Sequence, residues 1–283
     1  MSNFQHYEFM TIDKPLTQAQ LEEVKKLSSH IEASSTHALI EYQWGDFKHD
    51  PMQVLYKFFD GFLYWANWGS PRLGLRFPHG ILSATLINDY DLEDYVTFAT
   101  HPDYDILDIN FGDTDAPDEW IEYELSSLIA IRNELIEADL RALYITWLAS
   151  QCILEGYENE VIEEDYEIKV PSVPRGLISL SSAESVLADL LQVPQDLLSA
   201  AANHSKPLQS ETEANFATWI KLLSPNHRDD YLIRLARNEP GLSSLLVREL
   251  RELNPDTAKL FGQKDEYITY AKLNAESKKI RNK

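Results

Sequence analysis

The chain has 283 residues, 44% of them hydrophobic, with a net charge of −21, which makes it globular and leaves room for one large domain or two ordinary ones. No apolar run approaches the ~20 residues that cross a bilayer, and the N-terminal MSNFQHYEF has no basic region followed by an apolar one. Cys152 is the single cysteine, which excludes an intrachain disulfide framework and a cysteine-based zinc site, and suits a reducing cytoplasm.

Residues 6–12 predict a first strand. Thr17 then caps a helix, with Gln20 three residues on as the second half of a capping box; Leu21, Val24, Leu27 and Ile31 form its apolar stripe. Residues 36–44 read as a second strand. The stretch Glu41–Pro78 holds three of the six tryptophans, Trp44, Trp65 and Trp68. Asp50-Pro51 is a helix start, because Asp caps free N–H groups and Pro is pre-set for the first turn. Leu55, Phe58, Phe59, Phe62 and Ala66 then fall at helical spacing. Asn67 to Pro71 ends that helix, and Leu73, Leu75 and Phe77 alternate as a strand. The β-α-β-α-β order predicts a layered head around an aromatic core. The alternative to a packed core is an aromatic-lined pocket or partner groove, with Trp44 and Trp68, each beside a glycine, as its candidate exposed walls.

Residues 95–100 and 104–111 read as a hairpin, followed by the acidic segment GDTDAPDE at 112–119. Between Asp89 and Glu167 there are 23 acidic residues and two basic ones, Arg132 and Arg141, so the whole net charge of −21 sits in that central block. Such a field repels phosphate backbones and attracts basic partners. Two long helices follow at about 119–137 and 139–154, the first interrupted by Arg132, which predicts a carboxylate partner. Residues 155–176 read as a linker. Helices are then expected at 181–192, 194–203, 211–223, 225–237, 241–253 and from 255 onward, with Pro194, Pro225, Pro240 and Pro255 near their starts.

The fold class is therefore α+β: a small N-terminal mixed head with a short sheet (1–115), long helices and an acidic linker (116–176), and a helical domain with a basic tail (177–283). Asp103 and Asp105, two apart on a strand, face the same way and with Asp108 are candidate metal ligands. A calcium-loop reading from Asp108 fails, because Asp113 stands where that loop needs glycine. No His-x-x-x-His pair, Gly-x-Ser-x-Gly elbow or phosphate-binding loop is present. Cys152 lies in an apolar helix and reads as a buried thiol.

The segments YEFMTIDKPLT (7–17), EYQWGDFKHDP (41–51), FDGFLYWANWGSPRLGLRFP (59–78), ADLRALYITWL (138–148) and VPRGLISLSSAESVLADLL (173–191) together resemble an uncharacterised bacterial protein family, over most of residues 5–260. The resemblance carries no assigned activity and no functional residues. It implies a continuation into a charged, coiled-coil-like helical region, an arrangement suited to an adaptor.

The sequence thus predicts a non-enzymatic interaction module without a cofactor. Asp113, Asp115, Asp118 and Glu119, with Trp44 and Trp68, would bind a basic protein partner rather than nucleic acid or membrane. The alternatives are a metal-dependent hydrolase or nuclease using Asp103, Asp105 or Asp108, and a nucleic-acid mimic.

Overall fold

A computed structural model describes residues 4–82, 87–92, 95–112, 122–157, 171–207, 216–237, 239, 241–253 and 268–282. Its centre is a seven-stranded sheet: β1 (Gln5–Met10), β2 (Ile31–Ala33), β3 (His37–Tyr42), β4 (Gly61–Ala66), β5 (Gly69–Pro78), β6 (Val96–Thr100) and β7 (Tyr104–Asn110). The spatial order is β2-β3-β1-β4-β5-β7-β6, and every neighbouring pair is antiparallel. Helices α1 (Gln18–Val24) and α2 (Pro51–Phe58) interrupt the strands. After them come α3 (Ala130–Ile136), α4 (Arg141–Tyr157), α5 (Ser182–Leu190), α6 (Gln195–Ala202), α7 (Phe216–Trp219), α8 (Pro225–Ala236), α9 (Leu242–Leu253) and α10 (Tyr270–Arg281). The protein is thus mixed α+β, but its sheet is larger than the short one expected, and the helices do not dominate it.

The sheet is larger because two stretches form strands instead of helix. The predicted helix over 51–66 ends at Phe58, and Gly61–Ala66 becomes β4, a central strand between β1 and β5. A strand covered on both faces reads as an unbroken apolar run, which periodicity cannot tell from a helix. Here Phe62 packs on one face while Leu63 and Trp65 pack on the other. Ile31, expected as the last rung of the first helix, lies in β2, and α1 closes at Val24. A Cβ at Gly61 would stand 2.2 Å from Ile129 Cδ1, so any larger residue there would have to displace that side chain.

Local signals place the helices. Thr17 and Gln20 form the predicted capping box on α1, and Asp50 accepts from Met52 N with Pro51 in the first turn of α2. Ser181 and Glu184 cap α5 in the same reciprocal way. The long helix expected at 119–137 is shorter: a 3-10 turn at Leu125–Ser127 precedes α3. It does not run on into α4, because Ala138 adopts φ 64°, outside the helical region. The linker expected at 155–176 falls largely on residues outside those described, as do parts of the helices expected at 211–223 and from 255 onward.

Two apolar layers flank the sheet. Tyr7, Phe9, Ile40 and Phe62 face α2 through Val54, Leu55 and Phe58. On the other face Leu63, Leu73, Leu75, Phe77, Leu107 and Ile109 meet Leu125, Ile131, Tyr144, Trp147 and Leu148, and this cluster continues through Leu187 and Leu198 to Leu273. Burying each large aromatic removes about 150–250 Å² from water.

A closed polar circuit joins the layers at one end of the sheet. Asp60, 1% exposed, accepts from Ile12 N at 2.6 Å, Asp13 N at 2.9 Å and the Arg76 guanidinium at 2.8 Å. Arg76 also donates to Tyr56 O at 2.7 Å and lies over the Tyr104 ring. Arg132, on α3, reaches across to donate to Arg76 O at 2.6 Å and to Asp13 at 2.6 Å. This is the carboxylate partner its place in an apolar stripe predicted. Truncating one partner of a buried pair strands the other. Asp60→Ala is therefore expected to lower unfolding free energy by ~3–5 kcal/mol in urea titration; a loss below about 1 kcal/mol, the scale of an exposed pair, would show that the circuit does not hold the layers together.

Candidate interaction surface at one end of the sheet

The opposite end of the sheet presents the tryptophans. The register pairs Gln5 with both Tyr42 and Ala66, and Ala66 with Gly69. The start of β1, the ends of β3 and β4 and the start of β5 therefore share one edge. Trp44 lies two residues beyond β3 and is 72% exposed; Trp68 lies in the β4–β5 turn and is 40% exposed. Only β1 separates β3 from β4, so the strands that deliver the two indoles lie roughly 10 Å apart.

Both turns are pinned. Gln5 Nε2 donates to Gly45 O at 2.8 Å and to Asp46 Oδ1 at 3.0 Å, while its Oε1 accepts from Tyr7 at 2.6 Å and Tyr64 at 3.4 Å. Gly45 adopts φ 88°, a conformation open to glycine at little cost. Asn67 N donates to Phe4 O at 3.1 Å, and Asn67 Oδ1 accepts from Phe4 N at 3.1 Å. The residue next to each indole is thus held by hydrogen bonds to Phe4 or Gln5.

The acidic segment leaves and returns at this same edge. β7 pairs Asn110 with Arg72, and Phe111 N donates to Pro71 O at 2.9 Å, next to the start of β5. The chain resumes where Trp65 Nε1 donates to Tyr123 O at 2.9 Å and Leu125 N donates to Glu8 Oε2 at 2.6 Å. Asp113, Asp115, Asp118 and Glu119 lie between these anchors and outside the described residues. Glu41, Asp46, Glu122 and Glu124 are exposed on the segments that meet at this edge, as is Lys48.

Beneath the edge, Glu8 is 5% exposed yet charged. It accepts from Leu125 N, lies 2.8 Å from His37 Nε2 and 3.4 Å from His6 Nε2. Burial opposes ionisation, but these partners outweigh it and hold the carboxyl at about 2, while Glu8 raises His37. The His6 ring stacks on Trp65 at 5.0 Å. Gln5 and Glu8 were not singled out by sequence; their one signal is a polar side chain inside a run of buried strand residues. Asn67, expected only as the end of a helix, lies instead in the turn between β4 and β5.

The candidate metal ligands lie elsewhere. Asp103 is exposed before β7, at the far end of the sheet, and its carbonyl accepts from His79 N at 3.1 Å. Asp105 meets His79 Nδ1 at 3.1 Å and Gly80 N at 2.7 Å. Asp108, three residues on, is on the other face of β7 and takes two bonds from Arg72 at 2.8 and 2.6 Å. Among the described residues no group of three or more His, Cys, Asp or Glu side chains is placed to hold a metal ion, and no helix is long and apolar enough to cross a membrane.

Comparison with protein-family models, curated proteins and solved structures finds no match.

Glu8 gives a pH signature. Its folded value lies below its ordinary 4.5, at about 2, so it adds stability above pH 4.5 that is lost as pH falls through about 2. Glu8→Gln should lower stability at neutral pH by ~1.5–3 kcal/mol and flatten the acid limb of the melting profile. An acid limb as steep as that of the wild type would remove Glu8 from this role.

Proposed function

We propose that the protein is a non-enzymatic interaction module, an adaptor or regulatory component that holds a basic segment of another protein against the Trp44–Trp68 edge. The carrying observation is the pair of exposed indoles on pinned turns, at the edge where the acidic segment is tethered. Tryptophan is enriched among the few residues that dominate binding energy, and its face attracts Lys and Arg side chains. Neighbouring carboxylates speed the encounter and select the sign of the partner more than they add affinity. The buried circuit at the far end supplies a frame that need not move on binding.

The test is titration of Lys/Arg-rich peptides, with uncharged peptides of equal length as control, read by tryptophan emission. Affinity is expected to fall as salt rises. Trp44→Ala and Trp68→Ala should each weaken binding by about 2 kcal/mol. Charge reversal of Asp113, Asp115, Asp118 and Glu119 should lower affinity in a pull-down. Binding that is insensitive to salt and to both tryptophan replacements would overturn the reading.

A further inference from the structure

Helix α8 has two unlike faces. The inner one carries His227, Tyr231 and Arg234. Tyr231 is 6% exposed and donates to Glu249 Oε2 at 2.5 Å, His227 Nδ1 lies 3.2 Å from Glu249 Oε1, and Arg234 sits over the Tyr231 ring and pairs with Glu239 at 2.6 Å. These contacts fix which side of α8 faces the body. The outer side carries Asp229, Leu232, Ile233, Ala236 and Arg237, all exposed. Leu232 is 62% exposed, Ile233 50% and the flanking Leu235 64%. Lone exposed aliphatics are ordinary, but Leu232 and Ile233 are neighbours on the outer side, and apolar side chains grouped in this way are of the kind that marks an interaction site.

The order of side chains along that patch identifies its occupant. Asp229, Ile233 and Arg237 are spaced four apart and so form one ridge along the outer side. The ridge has an acid at its start, an aliphatic side chain in the middle and a base at its end. It spans about 12 Å. Turned end over end, it complements itself. Two copies laid antiparallel, with a two-fold axis through Ile233, set Asp229 of each against Arg237 of the other. Ile233 then meets its own counterpart, and Leu232 and Ala236 close the apolar centre.

We propose that α8 is a homodimerisation helix, pairing with α8 of a second copy of this chain in this isologous, antiparallel way. A partner of uniform charge would satisfy only one end of the ridge, whereas a second copy satisfies both. The net charge of −21 opposes association at low salt. At ~0.15 M salt, charges more than about 8 Å apart are largely screened, and the two contacting pairs keep their attraction.

Sedimentation of the full chain over a concentration series tests this, with thermal melts to confirm that each variant folds. The wild type should show a monomer–dimer equilibrium, and Ile233→Asp should abolish it. Asp229→Arg and Arg237→Asp alone each place like charges together twice and should weaken the dimer by about tenfold or more. Combining the two restores opposite charges at both ends and should recover most of the lost affinity. A wild type that stays monomeric throughout, a dimer that Ile233→Asp leaves intact, or a combined variant no better than the single ones would each overturn the proposal.

Discussion

The arrangement depends on one buried ionic circuit, in which Asp60 holds Arg76, Arg76 offers its carbonyl to Arg132, and Arg132 returns to Asp13 beside Asp60. Its members come from the end of α2, the end of β1, the fifth strand and α3, four places that hydrophobic burial alone would hold loosely. Apolar contact sets how close the layers lie. The circuit sets their register, because guanidinium and carboxylate groups tolerate burial only in satisfied geometry. With the far end of the sheet fixed in this way, the near end can carry large exposed indoles on turns held by hydrogen bonds to the first strand.

Much of this was legible because the signals are local. The Thr17–Gln20 box, the Asp50-Pro51 start and the alternation of Leu73, Leu75 and Phe77 each reside within a few residues, and each marks a real element. The sequence also marks Trp44 and Trp68 as exposed, through their glycine neighbours. β4 was illegible for the opposite reason: burial on both faces erases the alternation by which a strand is known. The props beneath the site were hidden because they depend on distant partners. Gln5 reaches Gly45 and Asp46, and Glu8 reaches Leu125, contacts that sequence spacing does not foreshadow.

The acidic block is not one uniform face. Asp105, Asp108 and Asp139 are engaged by His79, Arg72 and Arg141 respectively. Arg141 also lies 3.0 Å from Glu184, a fully buried carboxyl that burial pushes up to about 7. Crowded carboxyls around one guanidinium relieve their repulsion when one keeps its proton. Part of the formal charge therefore serves internal structure, while Glu122 and Glu124 are exposed beside the tryptophan edge.

The tethering of residues 113–121 has an evolutionary corollary. Phe111 N and Tyr123 O are both hydrogen-bonded to the sheet, so the two ends of that span are set by groups that lie outside it. Substitutions within the span can change its charge from one sequence to another while those two attachments, and the strands that supply them, stay unaltered.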